Sequence, residues 1–313
     1  MEYMEYNEKK NLIKIIKKIV LVIVIGILLN SYLTSPSKAY KALDSYFKKT
    51  YGEEFVIKGI GRRRLKDREW YEAGIVFPKS YIGTPKENDR YYWGRGFAEI
   101  EAFGFDVGDS YGGVLLNESA NEFYGKKLKE LFGDNVLPVL EIDGEYKFTD
   151  FIREYSRVSK TISGGIYIFG RVESDEDREW YRKQIYEFVQ FMKQTGTFEY
   201  VDLDILVVDS RELISNPRKL LENLPKNLPV EEWRKQRRVL MKVGNEEFNN
   251  MTQEELSEKI NSINKSEYLK EFYGGLLGIK VYSPKYIKSQ GLDNREIREY
   301  NSITDVKFDW EMW

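Results

Sequence analysis

Eleven consecutive residues, Ile19-Val20-Leu21-Val22-Ile23-Val24-Ile25-Gly26-Ile27-Leu28-Leu29, carry no charged and no polar side chain. A stretch this apolar is stable only when covered by protein, by lipid, or by the secretion machinery that reads a signal peptide. A full bilayer crossing takes about 20 apolar residues. Ile19 to Leu33 approaches that length, interrupted only by Asn30 and Ser31. Leu12, Ile13, Ile15 and Ile16 extend it backward, with Lys14, Lys17 and Lys18 able to snorkel to headgroups. The sequence thus predicts a single-pass anchor through the Ile19–Leu33 helix.

A cleaved signal peptide is the rival reading. Ser37-Lys38-Ala39 offers small residues for cleavage near Ala39, which would release a secreted protein. A helix buried in a cytosolic fold is the third. The chain has no cysteine, so it carries no lipid anchor of the lipoprotein kind. Lys9, Lys10, Lys14, Lys17 and Lys18 precede the span, and Lys38, Lys41, Lys48 and Lys49 follow it. That balance favours an N-terminus inside the cell and the large C-terminal region outside.

Composition narrows what this region does. The absence of cysteine removes disulfides, thiolate catalysis and cysteine–zinc sites. The absence of histidine removes the Ser-His-Asp triad, imidazole ligation and the usual general base near neutral pH. An enzyme built from this chain would depend on carboxylates, Lys, Tyr or Ser. The formal charge of −2 offers no global field for nucleic acid. Aromatic residues at 15% argue for a packed core rather than disorder. The balance of these exclusions favours a protein that is not an enzyme, with no cofactor and no metal.

Local signals predict an α+β fold, with helices packed on antiparallel sheets after the transmembrane helix. Ser37 is a candidate N-cap for a helix carrying Ala39, Ala42, Leu43, Tyr46 and Phe47, stopped by Gly52. Strands are expected from Phe55 to Ile60 and Trp70 to Phe77, with Arg62 to Lys66 as the loop between them. A third strand signal runs from Tyr91 to Val107. A short helix with Tyr124, Leu128, Leu131 and Phe132 ends at Gly133. A hairpin is expected around Asp143-Gly144, joining Val136–Ile142 to Lys147-Phe148. Phe151 to Val158 reads as a helix and Ile166 to Val172 as a strand.

Ser174 and Asp177 form a capping-box variant ahead of Tyr181, Ile185, Phe188 and Met192, and the strand Phe198–Val208 follows. Short helices are expected after Asn216-Pro217 and after Pro229. Thr252 and Glu255 make another capping box, before Leu256 and Ile260. A strand follows from Leu276 to Tyr282, and Val306, Phe308, Trp310 and Met312 alternate like a closing strand. The domain reading is 1–36 as tail and anchor, 37–225 as an α+β domain, and 226–313 as a helix-rich part. That last part is either separate or within the same domain. Pro225 to Pro229 is the linker candidate.

Three groups of residues carry candidate chemistry. Asp202 and Asp204 share one strand face, a spacing that suits a divalent cation on a sugar nucleotide, or simply a solvated face. Glu99 and Glu101 share another, and two carboxylates are the minimum for glycoside hydrolysis. Arg62, Arg63, Arg64 and Lys66 form a basic patch able to touch anionic headgroups or cell-wall polymers, at about 1 kcal/mol per charge near a membrane surface. Its plain alternative is a solvated hairpin loop. The many tyrosines and six tryptophans could stack on sugars or fill the core. Asp106 to Gly113 lacks the ligand spacing of a calcium loop and reads as a turn. Gly94-Arg95-Gly96 is too short for a dinucleotide fingerprint.

Ala42 to Phe55, with its Tyr51-Gly52-Glu53-Glu54-Phe55, and the later Tyr71-Glu72-Ala73, resemble small uncharacterised bacterial anchored or secreted proteins. Those open with a helix, then Tyr-Gly-x-x-Phe, then antiparallel strands. The resemblance covers the first quarter of the chain and implies no activity. The function expected from all of this is a non-catalytic binding or interaction role at the bacterial cell envelope, with an envelope protein or cell-wall polymer as partner. The alternatives are a carboxylate-dependent glycan-acting enzyme, an envelope scaffold, and a toxin-immunity protein.

Overall fold

A computed structural model describes residues 14–26, 34–102, 104–143, 151, 161–213, 227, 229, 231–232, 235, 250–270, 275–292 and 298–311. Beyond the first helix, these residues form two compact units. One takes residues up to Ile82 together with Trp93–Tyr111. The other takes Gly83–Tyr92 and the chain from Gly112 onward. The fold is α+β, as expected, but the elements differ from the sequence reading in several places.

Residues 14–26 form helix α1, thirteen residues long. Its apolar side chains are exposed all round, from 44% for Val24 to 69% for Val22. At 1.5 Å per residue this helix spans about 20 Å, against the roughly 30 Å of a hydrocarbon core. No helix among the described residues is long and apolar enough to cross a membrane. The expected transmembrane helix through Leu33 is therefore described only in its first part, and 27–33 lie outside the described residues.

In the first unit, helix α2 (Pro36–Tyr51) starts two residues earlier than expected. Ser35, not Ser37, holds the N-cap position, because Pro36 takes the first helical position, where its missing N–H costs nothing. Gly52 ends the helix at φ 75°. Strands β1 (Phe55–Leu65), β2 (Arg68–Pro78), β3 (Gly94–Glu101) and β4 (Gly104–Asp109) make an antiparallel sheet in that order. The expected basic loop is strand: Arg62, Arg63 and Arg64 pair with Tyr71, Trp70 and Glu69, and only Lys66 turns, at φ 55°. The expected single strand from Tyr91 to Val107 is two, β3 and β4, and Tyr91 lies in a separate 3-10 turn. Leu43 and Phe47 of α2 are buried, and a Cβ at Gly96 would lie 2.9 Å from Leu43. Glycine at that position lets the helix rest directly on the strand.

The second unit has a five-stranded mixed sheet, β5 (Val136–Asp143), β6 (Thr161–Gly170), β7 (Tyr200–Asp209), β8 (Leu277–Tyr282) and β9 (Trp310–Glu311), in that order. Here the expectation of antiparallel sheets fails at one pair. β6 and β7 run parallel, because helix α4 (Asp175–Gln194) carries the chain back before β7 begins. The antiparallel partner of β5 is β6, from Val136↔Ile168 to Asp143↔Thr161, rather than Lys147-Phe148. Lys147, Phe148 and most of the Phe151–Val158 segment lie outside the described residues. Because β8 and β9 join this sheet, residues on both sides of 225 build one unit. The Pro225–Pro229 linker and the helices after Pro217 and Pro229 fall largely outside the described residues.

Helix α3 (Tyr111–Phe132) is a full 22 residues, longer than expected because Gly112 and Gly113 sit inside its first turn. It ends at Gly133, φ 72°. Its Leu116, Ala120, Tyr124 and Leu128 share a core with Ile185, Phe188 and Met192 of α4 and with Ile166, Leu203, Ile205 and Val281 of the sheet. The Ser174–Asp177 capping box forms as read. So does the Thr252–Glu255 box that starts helix α5 (Gln253–Ser262). Helix α6 (Lys265–Lys270) lies over the sheet's other face, where the Tyr268 ring meets Tyr167 at 5.2 Å and Phe169 at 6.2 Å. Helix α7 (Pro284–Gln290) follows β8. The closing strand is short: β9 is two residues, while Val306 reaches the core ahead of it.

Candidate functional site

On strands β1, β2 and β3 of the first-unit sheet the expected acids and bases meet as partners. Arg68 donates to Glu99 at 2.7 Å, and that hydrogen bond holds the Glu99 carboxyl below the usual range. Arg63 and Arg95 reach Glu72 at 3.4 and 3.3 Å. Arg62 and Arg64 both reach Glu69, at 2.5 and 3.4 Å. The basic patch is thus largely neutralised by its own hairpin. Its register places Glu69 and Glu72 across from the arginines, which spacing along one strand does not reveal. Glu101 lies at the exposed end of β3, paired with Gly104 across the turn rather than facing Glu99.

In the second unit, Asp202 and Asp204 do project from one face of β7, and each is engaged. Tyr286 of α7 donates to Asp202 at 2.6 Å. Lys280, directly opposite on β8, lies 3.3 Å from Asp204. The hydrogen bond to Asp202, with burial behind it, pushes the Tyr286 phenol up to about 12. Among the described residues no group of acids is arranged to hold a metal ion. The pair forms a polar shelf edged by Tyr282 and Tyr286, whose rings stack 5.8 Å apart.

The arrangement that local sequence did not reveal joins the loop 83–92 to the start of α6. Asp89, 1% exposed, is held in the loop 83–92. It accepts from its own loop at Tyr91 N, 3.0 Å, and from the first two backbone amides of α6, Lys265 at 2.6 Å and Ser266 at 3.1 Å. The Ser266 hydroxyl also donates to it. These amides are orphan donors of a helix start, so a carboxylate from 176 residues away finishes the cap that Asn264 begins at Glu267 N. Beneath the cap, the Tyr91 hydroxyl donates to Leu140 O and accepts from Asn121 at 2.6 Å. Burial raises the Tyr91 phenol well above its ordinary value.

The side chain of Lys265 folds back over this loop. Its ammonium sits 5.1 Å from the Tyr91 ring centre and 5.3 Å from that of Tyr92. Lys86 approaches Tyr92 as well, at 4.8 Å, while it pairs with Glu118 of α3. Burial pushes the Lys265 ammonium down to about 8; Lys86 lowers it further, and Glu118 and Asp89 act the other way. An aromatic cradle stabilises the cation, yet the loss of water outweighs it here. No hydrogen bond or ion pair to this ammonium occurs among the described residues, whereas Lys79, Lys86, Lys280 and Lys285 each have an acid partner. Only the helical placement of Leu256 and Ile260 pointed to this region from sequence.

No protein-family model and no curated protein matches the chain. A solved structure, that of a DUF5037 family protein from Ruminococcus gnavus ATCC 29149, aligns with 59% of this chain and 81% of its own, at 15% identity and a TM-score of 0.31.

Proposed function

We propose that the protein is tethered to a membrane through the segment that begins with α1. Its two folded units would then act beyond the membrane in binding an envelope partner rather than in catalysis. The observation that carries this reading is the exposure of Ile19 to Ile25 around the whole circumference of α1. A helix with a single apolar stripe packs on protein, whereas one apolar all round needs cover on every side. Lipid provides such cover, and Ile27, Leu28 and Leu29 continue the apolar run. Lys14, Lys17 and Lys18 at its start favour the inner surface.

The binding part of the reading draws support from the side chains that would otherwise do chemistry. Glu99, Asp202 and Asp204 are each tied to a neighbouring cation or phenol. The neutralised arginine hairpin makes a protein partner a better fit than an anionic wall polymer. Its Arg–Glu pairs can exchange with those of another surface, whereas a polyanion would have to displace Glu69 and Glu72.

Membrane fractionation tests the tether. The full chain should stay in the membrane pellet through an alkaline carbonate wash, and a chain lacking residues 1–33 should not. Protease added to intact cells should reach the C-terminal region. A full chain found in the soluble fraction with its N-terminus intact would overturn the proposal, and a mature N-terminus near Ala39 would replace the tether by secretion.

A further inference from the structure

We infer that the outer edge of β1, over Lys58–Leu65, is a strand-addition site for an extended acidic segment of a protein partner. The inference rests on the reading of the folded units as binding an envelope partner, and it names the surface and that partner's chemistry. β1 is an edge strand of the first-unit sheet. The hydrogen bond from Ser110 N to Arg95 O sets the alternation across β3 and β2. It turns the backbone groups of Gly61, Arg63 and Leu65 toward β2, and those of Ile60, Arg62 and Arg64 outward. Among the described residues no group bonds to the outward N–H and C=O of these three. Arg62, Arg63, Arg64 and Leu65 are exposed, so this stretch of the edge faces water.

The second-unit sheet treats its edges differently. On β5, Asn121 accepts from the Leu140 amide at 3.1 Å and Asn117 from the Ile142 amide at 2.7 Å, and Tyr91 donates to Leu140 O. On β8, beyond the two residues of β9, Asp309 accepts from the Lys280 amide at 2.7 Å. Side chains there occupy the positions where a foreign strand would pair. The Lys58–Leu65 edge carries no such closure among the described residues, and its outward groups alternate as a strand ladder requires.

Charge selects the occupant. Arg62 and Arg64 share Glu69, and Arg63 and Arg95 share Glu72, so each set keeps one positive charge in excess. Lys58, over the Phe77 ring, adds another. Arg62 and Arg64 lie on one face of the strand and Arg63 on the other, so an incoming strand meets cations on both faces. Acidic side chains beside them make favourable cross-strand pairs, whereas a second copy of β1 would set arginine beside arginine. An anionic polymer without peptide groups cannot complete the ladder. Main-chain bonds supply the affinity, and the acids supply the selection.

The test is residue-resolved amide hydrogen exchange on the full-length chain in mild detergent. The probes are a capped peptide of repeated Thr-Glu-Glu, as long as the Lys58–Leu65 stretch, and its Thr-Lys-Lys counterpart. In the free chain the Ile60, Arg62 and Arg64 amides should exchange fast, and those of Gly61, Arg63 and Leu65 slowly. At about 1 mM, the glutamate peptide should slow the three outward amides at least about fivefold, and the lysine peptide should leave them unchanged. The slowing should shrink in about 0.5 M salt. Arg64→Pro removes an outward amide without touching the β2 ladder, so it should abolish the slowing at Ile60 and Arg62 while Gly61 and Arg63 stay slow. Where Arg64→Pro loosens the hairpin, the two peptides on the unaltered chain carry the decision. No slowing by the glutamate peptide would overturn the inference, as would equal slowing by the lysine peptide. Outward amides already slow in a dimeric free chain would assign the edge to a second copy instead. A chain that pellets with membranes and shows no slowing loses this site and keeps the tether.

Discussion

Asp89 and Lys265 are joined by a 2.6 Å hydrogen bond from the Lys265 backbone amide to the Asp89 carboxylate. The same residue that receives this cap sends its side chain back over Tyr91, two positions beyond Asp89. Backbone and side chain of one lysine thus grip the 83–92 loop from both sides. This explains why a ten-residue loop belongs to the second unit although β3 follows it immediately.

Asp89→Ala should be among the most damaging single changes in the second unit. It strands the Lys265 and Ser266 amides and the Ser266 hydroxyl, while the Tyr91 amide keeps the Ser266 hydroxyl oxygen as acceptor. A cost of about 3–5 kcal/mol is expected, with Asp89→Asn losing less because its carbonyl still accepts. Equilibrium urea unfolding of the two variants measures the difference.

Lys265 makes stability depend on pH in a defined window. Its folded value, about 8, lies below the ordinary 10.5, so above pH 8 the unfolded chain binds more protons than the folded one. Stability must therefore rise with pH from about 8 toward 10.5, and the penalty is fully present below 8. At about 1.4 kcal/mol per unit, the whole effect is of order 3 kcal/mol. Tyr46, Tyr181 and Tyr300 act oppositely: raised to about 12, chiefly by burial, they stabilise the fold below 10 and lose that contribution as pH climbs to 12. Unfolding midpoints at about pH 7.5 and 9.5 separate the two. Lys265→Met should flatten the rise and gain most at the lower pH.

Two glycines of the first-unit sheet should respond very differently to alanine. At Gly94 a Cβ would lie 2.8 Å from the Tyr111 Cα, a backbone atom that cannot swing aside. Gly94→Ala should cost more than about 3 kcal/mol. At Gly74 the nearest atom is 3.9 Å away, and Gly74→Ala should change stability by less than about 1 kcal/mol. Thermal unfolding of the paired variants reads the contrast.

Asp204→Asn should barely affect folding. Asp204 and Lys280 are each about half exposed, 49% and 53%, so water and salt screen their attraction. A loss below about 1 kcal/mol is expected, shrinking further in about 0.5 M salt. A large loss in the unfolding midpoint would mean that the shelf around Asp202 and Asp204 is a structural network.

Sequence alone determined those features whose causes lie within a few residues. The Ser174–Asp177 and Thr252–Glu255 boxes, the stops at Gly52 and Gly133, and the buried stripe of α4 all formed as read, because a cap or a turn of helix is settled by neighbours. The apolar run at the start is equally local. Tertiary structure decided the rest. Whether Arg62 to Arg64 form a loop or a strand depended on Glu69 and Glu72 across the hairpin. The partner of β5 and the parallel pairing of β6 with β7 depended on where α4 returns the chain. The Asp89–Lys265 cluster joins positions 176 residues apart. Helical periodicity and caps report the chain's own neighbourhood, while a buried carboxylate or a lysine set over two aromatic rings takes its chemistry from whatever the fold brings beside it.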